Sequence, residues 1–314
     1  MTAYPFVIEA VQLFILLLAA PMFTGWVRAV KCRMQGRSNA GICQPYRNIA
    51  KLFAKDVILA ENASWIFRST PYLVFGVTIM IGGIIPLISI ELPFAATADV
   101  IALVMLFAII RFFTALAGMD VGTAFGGMGS SREMTIASLA EPAMLMAMFT
   151  VSLAANSTSL TQMVRVIGQG EFILRPSLAF ALLAFIMVHL TETGRVPVDN
   201  PSTHLELTMI HEAMILEYSG RHLALIEWAA MMKLFIFSAL GIELFSPWGI
   251  AASGDPAAML LGGVLLAAKL AVLGVILVLI ETGMAKMRLF RLTEYLGGAF
   301  LLATLGMLSF FILE

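Results

Sequence analysis

Ala257 to Glu281 reads AAMLLGGVLLAAKLAVLGVILVLIE, and Lys269 is the one charge between its ends. A helix needs about 20 mostly apolar residues to cross the hydrocarbon core of a bilayer. No soluble helix of this length leaves itself without a polar face, because a surface helix shows water one charged side. The stretch is therefore a membrane span.

Seven further segments of similar character appear on working outward: about 4–27, 69–90, 97–117, 134–155, 176–192, 223–245 and 293–313. Prolines lie in or beside several of them (Pro21, Pro71, Pro86, Pro142 and Pro176). Membrane helices tolerate proline, because neighbouring groups re-satisfy the freed backbone. The expected fold is an all-α integral membrane protein of about eight transmembrane helices, with residues 1–314 forming a single polytopic domain. Composition agrees. The chain is 60% hydrophobic and 12% charged, half the charge that a soluble domain uses to solvate its surface, and its mean hydropathy is +0.95. The first apolar run, Phe6 to Ala20, lacks a basic leading region and continues past Pro21 to Val30, so it reads as a retained span rather than a cleaved signal.

The basic residues orient the bundle. Of 19 lysines and arginines, 14 fall in four alternate loops, at about 28–68, 118–133, 193–222 and 282–292. Only Arg165 and Arg175 fall on the other side, while Arg111, Lys233 and Lys269 lie within spans. The basic loops are expected in the cytoplasm, with both termini outside, in the cell's inner (plasma) membrane. No block of like charge stands alone, which gives no sign of a nucleic-acid partner. Two cysteines, Cys32 and Cys43, are too few to hold an iron–sulfur cluster or a structural zinc and are expected as free thiols. Any electrons must move through other subunits.

Three of the basic loops differ in kind. Residues 42–57 place Ile49, Leu52 and Phe53 on one helical face and Arg47, Lys51 and Lys55 on another. That is an amphipathic helix, lying in the membrane interface or under a soluble partner. The loop 118–133, rich in glycine and serine, reads as irregular. The loop 193–222 is crowded with ionisable groups. Prolines at 197 and 201 stiffen the backbone around Asp199, and Glu206 and Glu217 add carboxylates to the same region. His204, His211 and His222 match no metal-ligand spacing.

Ionisable side chains within a span cost about 2.5–3.5 kcal/mol each on insertion scales, and so mark function by default. Arg111, Glu141, Glu227, Lys233, Glu243 and Lys269 fall within the spans, and Glu133 and Glu192 near span ends. Glu227 and Glu243 are equally well explained by snorkelling or a single ion pair. The set as a whole needs water or mutual pairing, which implies a polar track suited to relaying protons. Glu141, about two turns into its span, is the sharpest case.

The segment Glu192 to Gly220, opening Glu-Thr-Gly-Arg-Val-Pro-Val-Asp and closing Glu-Tyr-Ser-Gly, resembles the hallmark loop of the complex I subunit 1 family. Within that family the likeness is to the membrane subunits of formate hydrogenlyase and hydrogenase-4, in the group 4 nickel–iron hydrogenases. In-order matches support it: 44–52 (QPYRNIAKL), Arg111-Phe112-Phe113, Gly118-Met119-Asp120 with Gly122, Ser131-Arg132-Glu133, Glu141-Pro142, and Glu281 with 285–288 (AKMR). Ser202 and His204 depart from the glutamates usual at those positions.

The resemblance implies a non-catalytic membrane subunit of a respiratory complex. It would dock hydrogenase-like large and small subunits and meet antiporter-like membrane subunits within the lipid bilayer. This chain would bind no cofactor. Iron–sulfur clusters, and nickel–iron where the partner is a hydrogenase, would sit in the partners. Carried over by position, Glu141, Asp199, Glu206 and Glu217 are the coupling carboxylates, with Arg195 as their counter-ion and Lys233 on the proton track. Glu192, Arg111 and Glu133 complete the set of proton-coupling candidates. The alternatives are a quinone-site subunit of an NADH:quinone oxidoreductase and, from another class, a standalone secondary transporter.

Overall fold

The computed structural model describes residues 4–89, 93, 97–169, 175–199, 210–250, 256–285, 287 and 289–313. The described residues hold helices α1 (Tyr4–Met34), α2 (Gln44–Phe53), α3 (Trp65–Ile84), α4 (Val100–Asp120) and α5 (Ala124–Ala155). These are followed by α6 (Leu160–Gln169), α7 (Pro176–Glu192), α8 (His211–Ile215), α9 (Gly220–Phe245), α10 (Pro256–Gly283) and α11 (Leu289–Leu313). Seven of them (α1, α3, α4, α5, α9, α10 and α11) are long and apolar enough to cross a membrane, and α7 is a shorter apolar helix. The eight apolar segments of the sequence are thus all helices, and the chain is an all-α, multi-pass membrane protein.

Local chemistry sets the helix ends. Ser64, Asp99 and Thr123 are N-caps whose side chains accept from the amides of Ile66, Ile101 and Gly126, satisfying donors that the first turn leaves free. Inside the spans, Thr70, Thr78, Thr114 and Thr150 each donate to a carbonyl one turn earlier, so that none of these hydroxyls faces lipid unpaired.

The stretch 118–133 is not an irregular loop. Only Val121, Gly122 and Thr123 separate α4 from α5, and Arg132 and Glu133 lie inside α5. The small residues there serve helix contact instead. A Cβ on Gly129 would come within 2.9 Å of the Ile210 carbonyl, and Ser130 donates to both the Ala115 and Gly126 carbonyls, at 2.8 Å each. Small residues let membrane helices approach closely, and that is the reason for them here. The amphipathic segment forms a helix shorter than expected, ending at Phe53. Ile49 is buried, while Lys51 and Phe53 are exposed, and the Phe53 ring meets Trp228 edge-on at 6.3 Å.

α9 runs through the middle, packed against α1, α2, α3, α7 and α10, while α5 lies between α4, α7 and α11. The apolar core between them contains Leu16, Phe107, Met144 and Phe237, all fully buried. α10 and α11 are the outermost spans, with only 22% of the most apolar window of each buried within the protein. At one end of the bundle, called here the basic end, the connections between spans converge.

A buried ion network beneath a cavity

Arg111 sits mid-way along α4 with its side chain 4% exposed. Glu133 and Glu141, two turns apart on α5, each bring a carboxylate oxygen to 3.8 Å from its guanidinium. Glu192, the last residue of α7, comes closer: Arg111 Nε donates to its Oε2 at 3.0 Å, and Nη2 pairs with Oε1. Lys233 of α9 reaches the same carboxylate, Nζ to Oε2, at 2.9 Å. Four helices thus contribute two cations and three carboxylates to one buried group. Glu192 holds both cations directly, and Glu141 is the most accessible member, with its side chain 34% exposed. Beyond Lys233 the surroundings turn aromatic, its Nζ lying 5.9 Å from the ring centres of both Phe107 and Phe237.

A second cluster lies at the basic end. Glu281, near the end of α10, pairs with Arg195, and its other oxygen accepts from Lys31 of α1 at 2.7 Å. One buried carboxylate between two cations ties α1 and α10 to the segment that follows α7. The Met287 amide donates to the Pro197 carbonyl at 3.0 Å and fastens the start of α11 to the same place.

The expected coupling carboxylates divide accordingly. Asp199 is 4% exposed and accepts from the amides of Ile210 and His211, at 3.1 and 3.3 Å, so that it anchors the entry to α8. Glu217 is exposed on the turn before α9 and does not line the cavity. Glu206, with Ser202 and His204, lies outside the described residues. The resemblance makes Arg195 the counter-ion to Glu141, Asp199, Glu206 and Glu217, and of these Glu206 is among the residues not described. The Arg195 guanidinium pairs with Glu281, and the cation shared by Glu133, Glu141 and Glu192 is Arg111. Glu281 and Lys31 are site residues that sequence reasoning misses. Two residues 250 positions apart in the chain carry no periodic signal of their meeting.

The closing Tyr-Ser-Gly of the family motif is a clamp. The Tyr218 ring stacks on Phe67 at 3.9 Å and 3°, and its hydroxyl donates to the Phe67 carbonyl at 2.9 Å. Burial pushes the Tyr218 phenol above its usual range, so it stays a donor. Ser219 Oγ accepts from the Ile58 amide and donates to the Ile58 carbonyl, at 2.8 and 2.9 Å. Gly220, at φ +52°, lies against the carbonyls of Lys55 and Asp56. Together the three residues hold the connection between α2 and α3 against the start of α9.

Both ion clusters face one cavity of about 390 Å³, lined at its floor by Arg111, Glu133, Glu192 and Lys233 and nearer the basic end by Arg28, Lys31, Arg195, Asp199 and Glu281. Its wall is amphipathic, with Val74, Ile110, Ile226 and Met231 among the charged groups. Among the described residues no three His, Cys, Asp or Glu side chains stand together as metal ligands. What the arrangement can do is hold charge that moves: the network is dense and mutually compensating, and four of its five members line the cavity.

Known proteins match this chain over most of its length. Formate hydrogenlyase subunit 4 of Escherichia coli (strain K12) is 30% identical over 279 residues, 89% of this chain and 90% of that one. Hydrogenase-4 component C of the same organism is 32% identical over 303 residues, 96% of this chain and 95% of that one. An NADH-quinone oxidoreductase subunit of Carboxydothermus hydrogenoformans is 26% identical over 71% of this chain and 62% of its own length. The fold is shared, at a TM-score of 0.83 and 18% identity, with a chain of the membrane-bound sulfane sulfur reductase, an archaeal respiratory membrane complex, over 97% of this chain and 99% of that one. The model of the family described as NADH dehydrogenase matches residues 8–312. With that match running over nearly its whole length, the chain belongs to the NADH dehydrogenase family, the complex I subunit 1 family that its motifs resemble.

Proposed function

We propose that this chain is the membrane-anchoring, energy-coupling subunit of a respiratory, group 4 hydrogenase-like complex. Its relatives named as formate hydrogenlyase and hydrogenase-4 subunits match it nearly end to end, which supports that type of complex. The basic loops face the cytoplasm, the termini lie outside, and the whole chain acts as one polytopic domain. The clamped loops at the basic end are the platform for hydrogenase-like large and small subunits, which carry the iron–sulfur and nickel–iron centres. Antiporter-like membrane subunits pack against its lipid-side helices.

The observation that carries the reading is the Arg111–Glu133–Glu141–Glu192–Lys233 network, of which Arg111, Glu133, Glu192 and Lys233 line the cavity. Electron transfer in the docked arm changes the charge at the cavity mouth. The network responds because its members share cations: any change at one carboxylate alters the hold of Arg111 on the others. Glu141, held at the same 3.8 Å as Glu133 but more exposed, is the member that takes up and releases a proton. Neutralising it, Glu141→Gln, is expected to stop proton pumping into inverted vesicles while the complex still assembles and passes electrons. Pumping at the wild-type rate refutes the assignment.

A second reading, a quinone-site subunit, is favoured by the amphipathic cavity and by the relative named as an NADH-quinone oxidoreductase subunit. Quinone-site inhibitors slowing electron transfer in the purified complex would select it.

A further inference from the structure

Near its start α1 carries two polar side chains, Glu9 and Gln12, at 7% and 0% exposure. Lys31, where the same helix reaches the basic end, lies about 33 Å further along its axis. Both side chains face the end of α3. The Gln12 amide nitrogen donates to the carbonyls of Gly82 and Ile85, at 3.0 and 2.8 Å. The need for it is local. In a continuing helix the Gly82 carbonyl would accept from the amide four residues on, but residue 86 is proline, which has none. Gly83 lets the Glu9 carboxylate come close, since a Cβ there would stand 3.1 Å from its Oε1. Past Ile84 the chain turns through Ile85, Leu87 and Ile88, all buried.

What this junction leaves over is acceptors. The Gln12 nitrogen is committed to the two carbonyls, which leaves Oε1 as its free end. Among the described residues neither that oxygen nor Glu9 Oε2 has a hydrogen-bond partner, and both atoms are buried. Residues three apart on a helix have Cβ atoms about 5–6 Å apart, so the two side chains reach one ion together. A buried carboxylate is costly unless it is compensated, and the negative end of the α3 dipole adds to the cost. A water would bridge the two oxygens and leave the charge. A divalent ion on one carboxylate would leave a positive charge in its place. A monovalent cation cancels the charge and gives both oxygens a partner. Carboxylate and amide oxygens beside the carbonyl end of a helix are ligands that suit a hard cation in a membrane bundle. Coulomb attraction grows as the ions approach, so a carboxylate favours the smaller alkali ion.

We propose that Glu9 and Gln12, with the carbonyl end of α3, form a sodium-ion site. The bound ion ties the start of α1 to the end of α3, far from the basic end. A proton on Glu9 would remove the same charge, so the two compete for one carboxylate. The site does not depend on the coupling reading above, and its test leaves Glu141 untouched.

The competition is the measurement. The whole complex in its native membranes is treated with a hydrophobic carbodiimide, which reacts with protonated carboxyls in apolar surroundings. The media have equal ionic strength, made up with sodium, potassium or choline chloride. Peptide mass spectrometry is expected to find the adduct on Glu9 in choline. Millimolar sodium is expected to suppress it severalfold, and potassium far less. Gln12→Leu, which removes one ligand oxygen, is expected to keep the adduct and lose the protection by sodium. Equal labelling of wild-type Glu9 in all three salts overturns the proposal and leaves a protonated acid or a bridging water. A Glu9 that stays unlabelled in choline overturns it too, because a carboxylate without its cation has to take a proton.

Discussion

Glu192 and Glu243 are carboxylates buried to nearly the same extent, at 8% and 1% exposure, and the fold treats them in opposite ways. Glu192 ends α7 and is gripped by Arg111 and Lys233, so its charge is compensated twice over. Glu243 lies in the last turn of α9, and among the described residues its carboxylate oxygens have no hydrogen bond. A buried charge with excellent partners is structural as well as electrostatic, whereas one without them can be kept only by carrying a proton. The difference predicts which positions hold the bundle together and which do not.

The largest effect should come from removing the shared cation. Arg111→Met leaves three carboxylates facing one lysine, and breaking a buried pair from one side costs about 3–5 kcal/mol. The subunit is expected to be lost from the complex, read as its recovery after affinity purification in mild detergent. Glu243→Gln should by contrast leave assembly intact. Normal assembly in Arg111→Met would break the distinction.

Next comes the clamp that frames the cavity. Gly220→Ala puts a side chain at φ +52° and within 2.6 Å of the Asp56 carbonyl, strain on the order of 1–3 kcal/mol. The expected outcome is a lowered melting temperature for the purified complex, with Ser219→Ala, which removes a pair of hydrogen bonds to Ile58, milder. Lys233→Met should be milder still for stability, since Arg111 continues to hold Glu192, but pumping is expected to fall sharply with electron transfer retained. That split, measured in inverted vesicles, sharpens the contrast between a structural cation and a coupling one.

These distinctions are only partly legible in the sequence. The spans are, because a long apolar run has one physical outcome in a bilayer, and α7 ends at the residue the hydropathy break marks. The ionisable residues inside them are visible as costs in need of partners. Their partners are not. The Arg195 guanidinium meets Glu281, 86 residues away, and nothing in the local sequence announces it. That Asp199 accepts from the amides of Ile210 and His211, eleven and twelve residues on, is equally invisible in the sequence. The Gly-Ser stretch before Glu133 misleads because glycine carries two signals. In water it marks a turn. In a lipid bundle it also marks close helix contact, as Gly126 and Gly129 do here.

The smallest effect is expected at Lys31, and it tests how far redundancy protects the basic end. Its side chain is 35% exposed while that of Glu281 is 2% exposed, so solvent already shares in screening the lysine but not the carboxylate. In Lys31→Met, Glu281 keeps Arg195 as a direct partner, and the lost pair is a part-exposed one, worth about 1 kcal/mol or less. Melting temperature and pumping should both stay close to wild type. Arg195→Met removes the more deeply held cation, with its side chain 16% exposed, and should cost clearly more. If the two variants were equal, the clamp would depend on total charge at the cavity mouth rather than on the geometry of one carboxylate, and Glu281 would then belong with the responsive groups rather than the fixed ones.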